Sequence, residues 1–393
     1  VLDSLVNADY PTPRGWRTAH LQTLRSRLLP ATAPPDGLAE TALVRIAMDD
    51  GTGDRLRVLV HTPRAPAPPA PAPQLVLLVH GLGGSADSAY MTATAAVLLR
   101  HGIAAARLDL RGAGSTGTES RQLYHAGRTE DVRAVLRALV HHPAADRRRT
   151  GATLGLMGFS LGGNVTLKLL GEPTDGLPVV AGVSVSAPLD LAAGSEYLHH
   201  VAFGLYEQAM VRGLRRDVAR FGGAMSVDER AAIAAARRIE EFDDAFTARR
   251  NGWRDAAEYY AVNSSAQYLP RIRVPTLVVH ALDDPVVPSG PYLSVDWDGL
   301  AAAGFVERCI TRHGGHVGFH QRGTRAPWYA DRAAAFFLAL PARDRAAAQG
   351  DEDLGDFGDL GEVGEVRAQP AATAQASSVR QAAGSGSALG SEM

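Results

Sequence analysis

From Leu75 to Thr311, short apolar runs alternate with longer segments whose apolar residues recur at helical spacing. Leu75 to Val79, Ile103 to Leu108, Ala152 to Met157, Val179 to Val185 and Thr276 to His280 are apolar or nearly so, and Phe305 to Thr311 is apolar but for Glu307, Arg308 and Thr311. A strand reads this way when it is buried on both faces, as in a parallel sheet covered by helices. Helices are predicted between them at Tyr90 to Arg100, Thr129 to His141 and Gly162 to Leu170. The alternation predicts an α/β fold, a mostly parallel central sheet with helices on both faces.

The flanks differ. Residues 1–40 are polar and proline-punctuated, a lead-in with one short helix near His20-Leu21-Gln22-Thr23-Leu24. Thr41 to Met48 and Asp54 to Thr62 alternate in polarity around Asp49-Asp50-Gly51, a hairpin signal, and Pro63 to Pro73 reads as an exposed, extended connector. The strand series breaks once: Leu189 to about Arg250 is rich in helix formers, including Tyr206 to Val218 and Asp228 to Ile239, with no strand. A helical cap at about 190–250 above the sheet edge is expected, ordinary packing helices being the alternative. One domain over 41–341 accounts for these elements. Residues 342–393 turn to Gly, Ala, Ser and acidic residues, the composition of a disordered tail.

Composition narrows the function classes. At 393 residues and 46% hydrophobic the chain can bury a full core, and a net charge of −2 without basic clusters gives no footprint for nucleic acid. Cys309 is the single cysteine, which excludes an internal disulfide and fits a buried strand position in a reducing compartment. No signal-peptide pattern opens the chain and no run reaches the ~18 apolar residues of a spanning helix, so no integral membrane segment and a cytoplasmic location are expected. Oligomeric state is not legible.

Chemistry enters at Gly158-Phe159-Ser160-Leu161-Gly162, between the apolar run ending at Met157 and the predicted helix. A serine on a sharp strand-to-helix turn is an exposed nucleophile, and small residues two positions to either side let strand and helix approach. Its hydroxyl needs a histidine to take the proton and a carboxylate to orient that histidine. Asp283 and Asp284 follow the run ending at His280; Asp284 is preferred because Pro285 and Pro288 shape its loop, leaving Asp283 to cap or orient, with Asp190 a further alternative. His316 is preferred to His313 because Gly314 and Gly315 give it freedom to turn back over the sheet edge. The backbone amides of Leu161 and of Leu82, in His80-Gly81-Leu82-Gly83-Gly84-Ser85, are the expected oxyanion donors, with His80 structural. A metal site using His280, Asp283, Asp284, His313, His316 and His320 is the competing reading, though His313 and His316 lack zinc-protease spacing. No cofactor is expected.

The ordered blocks His20-Leu21-Gln22-Thr23-Leu24, His80-Gly81-Leu82, Tyr124 to Asp131, Gly158 to Asn164, Glu241-Phe242-Asp243-Asp244 with Thr247-Ala248-Arg249, and Gly314 to Phe319 resemble the YheT-like branch of the α/β-hydrolases. That branch includes animal α/β-hydrolase-domain phospholipases and yeast medium-chain ethyl ester synthases. The resemblance implies a serine esterase or acyl-transfer enzyme with Ser160, Asp284 and His316 as its triad. Ala113, where relatives often carry cysteine, the proline-rich insertion and the long tail depart from the pattern. The expectation is hydrolysis of small-molecule carboxylic esters with short to medium acyl chains through an acyl-Ser160 intermediate. Alcohol acyltransfer by the same intermediate is the rival, and a non-catalytic acyl-ligand binding protein the alternative from another class. The Tyr124 to Asp131 block has no role that chemistry alone supplies beyond bracing loops.

Overall fold

A computed structural model describes residues 5–28, 38–173 and 176–340. The tail expected to be disordered lies outside the described residues. Eight strands form one sheet: β1 (Ala39–Ala47), β2 (Arg55–Pro63), β3 (Leu75–Val79), β4 (Ala104–Asp109), β5 (Leu154–Phe159), β6 (Val179–Val185), β7 (Thr276–Ala281) and β8 (Val306–Thr311), in the order β1-β2-β4-β3-β5-β6-β7-β8. β1 and β2 are antiparallel and β2 runs antiparallel to β4; every other pairing is parallel. The helices are α1 (Ala19–Leu28), α2 (Ala89–Arg100), α3 (Thr129–Val140), α4 (Leu161–Gly171), α5 (Leu191–His200), α6 (Leu205–Arg220), α7 (Val227–Ala235), α8 (Ile239–Phe242), α9 (Ala256–Asn263), α10 (Gly290–Leu293), α11 (Trp297–Ala302) and α12 (Trp328–Leu338).

The strand period sorts the core into two layers. Leu75, Leu77 and Val79 of β3 pack with Val132, Leu136 and Leu139 of α3 and Val165 and Leu169 of α4. Val76 and Leu78 point the other way, toward Met91 and Leu98 of α2 and Ala330 and Phe337 of α12. All five β3 residues are buried, which is why that strand has no polar position. From β3 the chain goes to β4 on one side and to β5 on the other, so the loops after β3 and β5 diverge at the point where an open α/β sheet leaves a crevice.

Most predicted elements lie within one or two residues of the observed ones. The strand before Ser160 runs Leu154–Phe159, later than Ala152 to Met157, because Thr153 serves instead as a loop partner to Gln74. The helix predicted over Asp228 to Ile239 is broken into α7 and α8; Arg215 takes the free carbonyls of Ile233, Ala234 and Ala236 where α7 ends. The helical insertion between β6 and β7 also passes the expected boundary near 250, adding α9 and a 3-10 turn at Ser265–Arg271. The proline-rich connector is not free: Arg148 donates to the carbonyls of Pro68 and Ala72, and Arg147 to that of Pro63. Cys309 is buried in β8.

The lead-in is docked. Asn7 exchanges backbone and side-chain hydrogen bonds with Ile310 and Arg308, covering the open edge of β8. Among the described residues, no helix is long and apolar enough to cross a membrane.

Candidate active site

Ser160 sits between β5 and α4 at φ 53°, ψ −121°, a conformation that L residues rarely adopt. The turn is possible because both flanking glycines lack a Cβ: one at Gly158 would fall on the Gly162 carbonyl, and one at Gly162 on the carbonyls of Val79 and His80. The Ser160 amide donates to Val185 O at 2.8 Å, fixing the turn to β6.

His316 Nε2 lies 2.9 Å from Ser160 Oγ, and His316 Nδ1 lies 2.9 Å from Asp284 Oδ2. With Nδ1 carrying its proton toward the carboxylate, Nε2 faces the serine hydroxyl as an acceptor. The other Asp284 oxygen accepts from the amides of Val286 and Val287 at 2.8 and 2.9 Å. Burial favours a neutral Asp284, but the His316 imidazole and these donors outweigh it and hold the carboxyl below its ordinary range.

Asp283 serves the histidine loop rather than the histidine. It accepts from the amides of Gly314 and Gly315, both at 2.9 Å, and faces His313 Nδ1 at 3.1 Å. Asp190 caps α5 by accepting from the Ala193 amide. His280 is stacked on Tyr292 at 3.9 Å and bonded to Ser289, while His320 donates its amide to Gln22. The residues of the metal reading thus have separate partners, and among the described residues no group of three or more His, Cys, Asp or Glu is disposed to hold a metal ion.

The loop after β3 is held from three sides. His80 Nε2 accepts from the Leu110 amide at 3.1 Å, which leaves Nδ1 to donate to Gly81 O at 2.8 Å; burial keeps the ring's pKa low, as a neutral structural histidine requires. The Gly81 amide donates to the Tyr90 hydroxyl at 3.0 Å and the Gly83 amide to the Tyr124 hydroxyl at 2.7 Å. Leu82 lies between them, and Leu82, Ser160 and Leu161 border one cavity.

That cavity, about 120 Å³, runs under the insertion and is walled largely by apolar side chains such as Leu198, Met210, Leu214, Phe242 and Phe246. Such a lining suits an aliphatic chain extending from the serine.

Two of the sequence blocks acquire physical roles only in three dimensions. Thr23 Oγ1 accepts from the His316 amide at 2.8 Å and donates to Ala19 O, so α1 positions the histidine. A Cβ at Gly315 would strike Ala19 O, which is why glycine stands there at φ 58°. In the Tyr124 to Asp131 block, Tyr124 reaches Asp217 of α6, the Ala126 amide donates to Tyr259 of α9, and Asp131 pairs with the buried Arg111 at the end of β4. The block therefore ties the insertion, the sheet and the loop after β3 together.

Residues 74–322 match the family described as alpha/beta hydrolase fold. The chain is 33% identical over 322 residues to "Putative esterase YheT" of Escherichia coli K12, covering 80% of this chain and 87% of that protein. It is 27% identical to a monoacylglycerol lipase of Saccharomyces cerevisiae, covering 66% of this chain and 58% of the yeast protein. It is 28% identical to the same yeast's medium-chain fatty acid ethyl ester synthase/esterase 2, covering 67% and 61%. Strand order, the turn at Ser160 and these matches agree: the chain belongs to the α/β-hydrolase fold family, in its YheT-like branch.

Proposed function

We propose that the protein is a serine hydrolase that cleaves carboxylic esters of short to medium acyl chains through an acyl-Ser160 intermediate. The observation that carries this reading is the continuous pair of 2.9 Å contacts from Ser160 Oγ through His316 to Asp284. His316 Nε2 takes the hydroxyl proton as Oγ bonds to the carbonyl carbon. The amides of Leu82 and Leu161 receive the oxyanion, a contribution worth roughly 3 kcal/mol per donor in comparable enzymes. Collapse breaks the ester C–O bond and His316 returns the proton to the departing alcohol. Water, deprotonated by His316, then releases the acid and restores Ser160. Asp284 stays ionised throughout and steadies the imidazolium.

The apolar cavity also supports transfer of the acyl group to an alcohol, the activity in the name of one yeast relative, since a dry site favours an alcohol over water as the second nucleophile. The test is turnover of p-nitrophenyl acetate, butyrate and octanoate by wild type and Ser160→Ala, with a fluorophosphonate adduct read by intact mass. Turnover and a single adduct, both lost in the variant, support the reading; equal rates and no adduct reject it. Ethanol added to the assay distinguishes transfer, through ethyl ester formed.

A further inference from the structure

The block Glu241-Phe242-Asp243-Asp244 has no part in the chemistry above, yet Asp243 borders the same cavity as Ser160. Its carboxylate is buried and accepts from Thr247 Oγ1 at 2.7 Å and from the Tyr260 hydroxyl at 2.8 Å. A carboxylate offers about four acceptor positions, so roughly half are unused. Burial pushes the Asp243 carboxyl up to about 6, as expected of an anion with too few donors around it.

Ser195 of α5 borders the cavity as well. It is 6% exposed, and its Oγ has no hydrogen-bond partner, although it lies near enough to the Tyr260 hydroxyl to act on it. An unpaired buried hydroxyl costs about 1–3 kcal/mol. Leu191, Leu198, Ile239 and Phe242 line the same cavity. An aliphatic chain leaves the Ser195 hydroxyl unpaired and the spare acceptor positions of Asp243 unfilled. A chain bearing a hydroxyl donates to Asp243 and accepts from Ser195. An ammonium group can only donate, and a second carboxylate is opposed by Asp243 and by Asp217, which also faces the cavity.

We propose that Asp243, Ser195 and Tyr260 form a polar subsite that binds a hydroxyl group carried by the substrate chain, so that hydroxy esters are preferred to their unsubstituted counterparts. The subsite's effect on turnover rests on the reading of Ser160 as nucleophile; its effect on binding does not.

The experiment compares kcat/KM for ethyl hexanoate with ethyl 3-hydroxyhexanoate, ethyl 6-hydroxyhexanoate and ethyl 6-aminohexanoate, and for hexyl acetate with 6-hydroxyhexyl acetate. The two series distinguish a hydroxyl on the acyl side from one on the alcohol side. At least one hydroxy ester is expected to exceed its parent about 10-fold, and Ser195→Ala and Asp243→Leu each to bring that ratio below about 3. A variant that merely folds poorly slows both esters and leaves the ratio intact. Equal turnover of hydroxy and parent esters, a preference for the amino ester, or a preference that survives both substitutions overturns the proposal. Calorimetric binding of the same esters to Ser160→Ala separates the two readings. Tighter binding of the hydroxy ester without wild-type turnover keeps the subsite and rejects Ser160 as nucleophile; turnover without preference does the reverse.

Discussion

The Tyr124 hydroxyl accepts a 2.7 Å hydrogen bond from the Gly83 amide, and its own proton is directed to Asp217 of the insertion at 3.4 Å. With Tyr90 holding Gly81, the loop after β3 is fixed on both sides of Leu82, whose amide is the proposed oxyanion donor. Tyr124→Phe removes the acceptor while keeping the ring. Gly83 is itself exposed, so water can replace the lost hydroxyl and the loss is that of an ordinary hydrogen bond, about 0.5–1.5 kcal/mol; kcat for p-nitrophenyl butyrate is expected to fall roughly 2- to 10-fold with KM changed little. A lowered melting temperature with unchanged kcat would show that Tyr124 braces the fold and not the loop.

Asp284→Asn keeps the shape of the acid but replaces an acceptor with an amide that favours the wrong histidine tautomer. In serine proteases this change costs on the order of 10⁴ in kcat. The same order is expected here, whereas Asp283→Asn should cost far less because Asp283 touches Gly314, Gly315 and His313 but not His316. Steady-state rates of the two variants decide the matter; the opposite ranking would make Asp283 the acid.

Thr23→Val is nearly isosteric and removes the acceptor of the His316 amide. The histidine loop should loosen against α1, lowering kcat on the order of 10-fold. Thr23→Ser retains the oxygen and should restore the rate. Failure of that rescue would assign the effect to packing of the methyl group.

The legibility of this chain follows physical range. Ser160, Asp284 and His316 could be put forward as candidates because each stands beside a local signal: paired glycines, paired prolines, a glycine-rich loop after an apolar run. β3 and β6 were readable to the residue because both are buried almost throughout, β3 with no polar position and β6 with Ser184 alone. Thr23 and Tyr124 were not, since their partners lie 293 and 41 residues away and a hydroxyl that accepts from a backbone amide leaves no pattern in its neighbours. The end of the insertion was missed for a related reason. α9 buries Ala256, Tyr259 and Tyr260 against Ala126 and Ala248 and has no marked amphipathic period, so Tyr259 and Tyr260 read as ordinary helix residues.

Asp243 also makes a pH prediction about stability. Its folded pKa of about 6 stands above the ordinary 3.8, so between these values the native state binds more protons than the unfolded chain. Stability from this group is therefore full below about pH 4 and declines as pH rises through 6, by about 3 kcal/mol at the upper limit. Asp284, whose folded pKa is lowered, acts in the opposite sense and loses its contribution only as pH falls below the ordinary carboxylate range. The two windows do not overlap, but buried histidines such as His61, His280 and His320, lowered to about 4, and Asp217, raised, also titrate as pH rises toward neutrality, so the Asp243 contribution is isolated by comparing wild type with Asp243→Asn at each pH. Asp243→Asn removes the titration, so its stability relative to wild type should be more favourable at pH 8 than at pH 5. Urea unfolding of both proteins at the two pH values measures the difference directly. A difference that does not change with pH would mean that Asp243 is ionised throughout, with its Thr247 and Tyr260 donors sufficient to hold the charge.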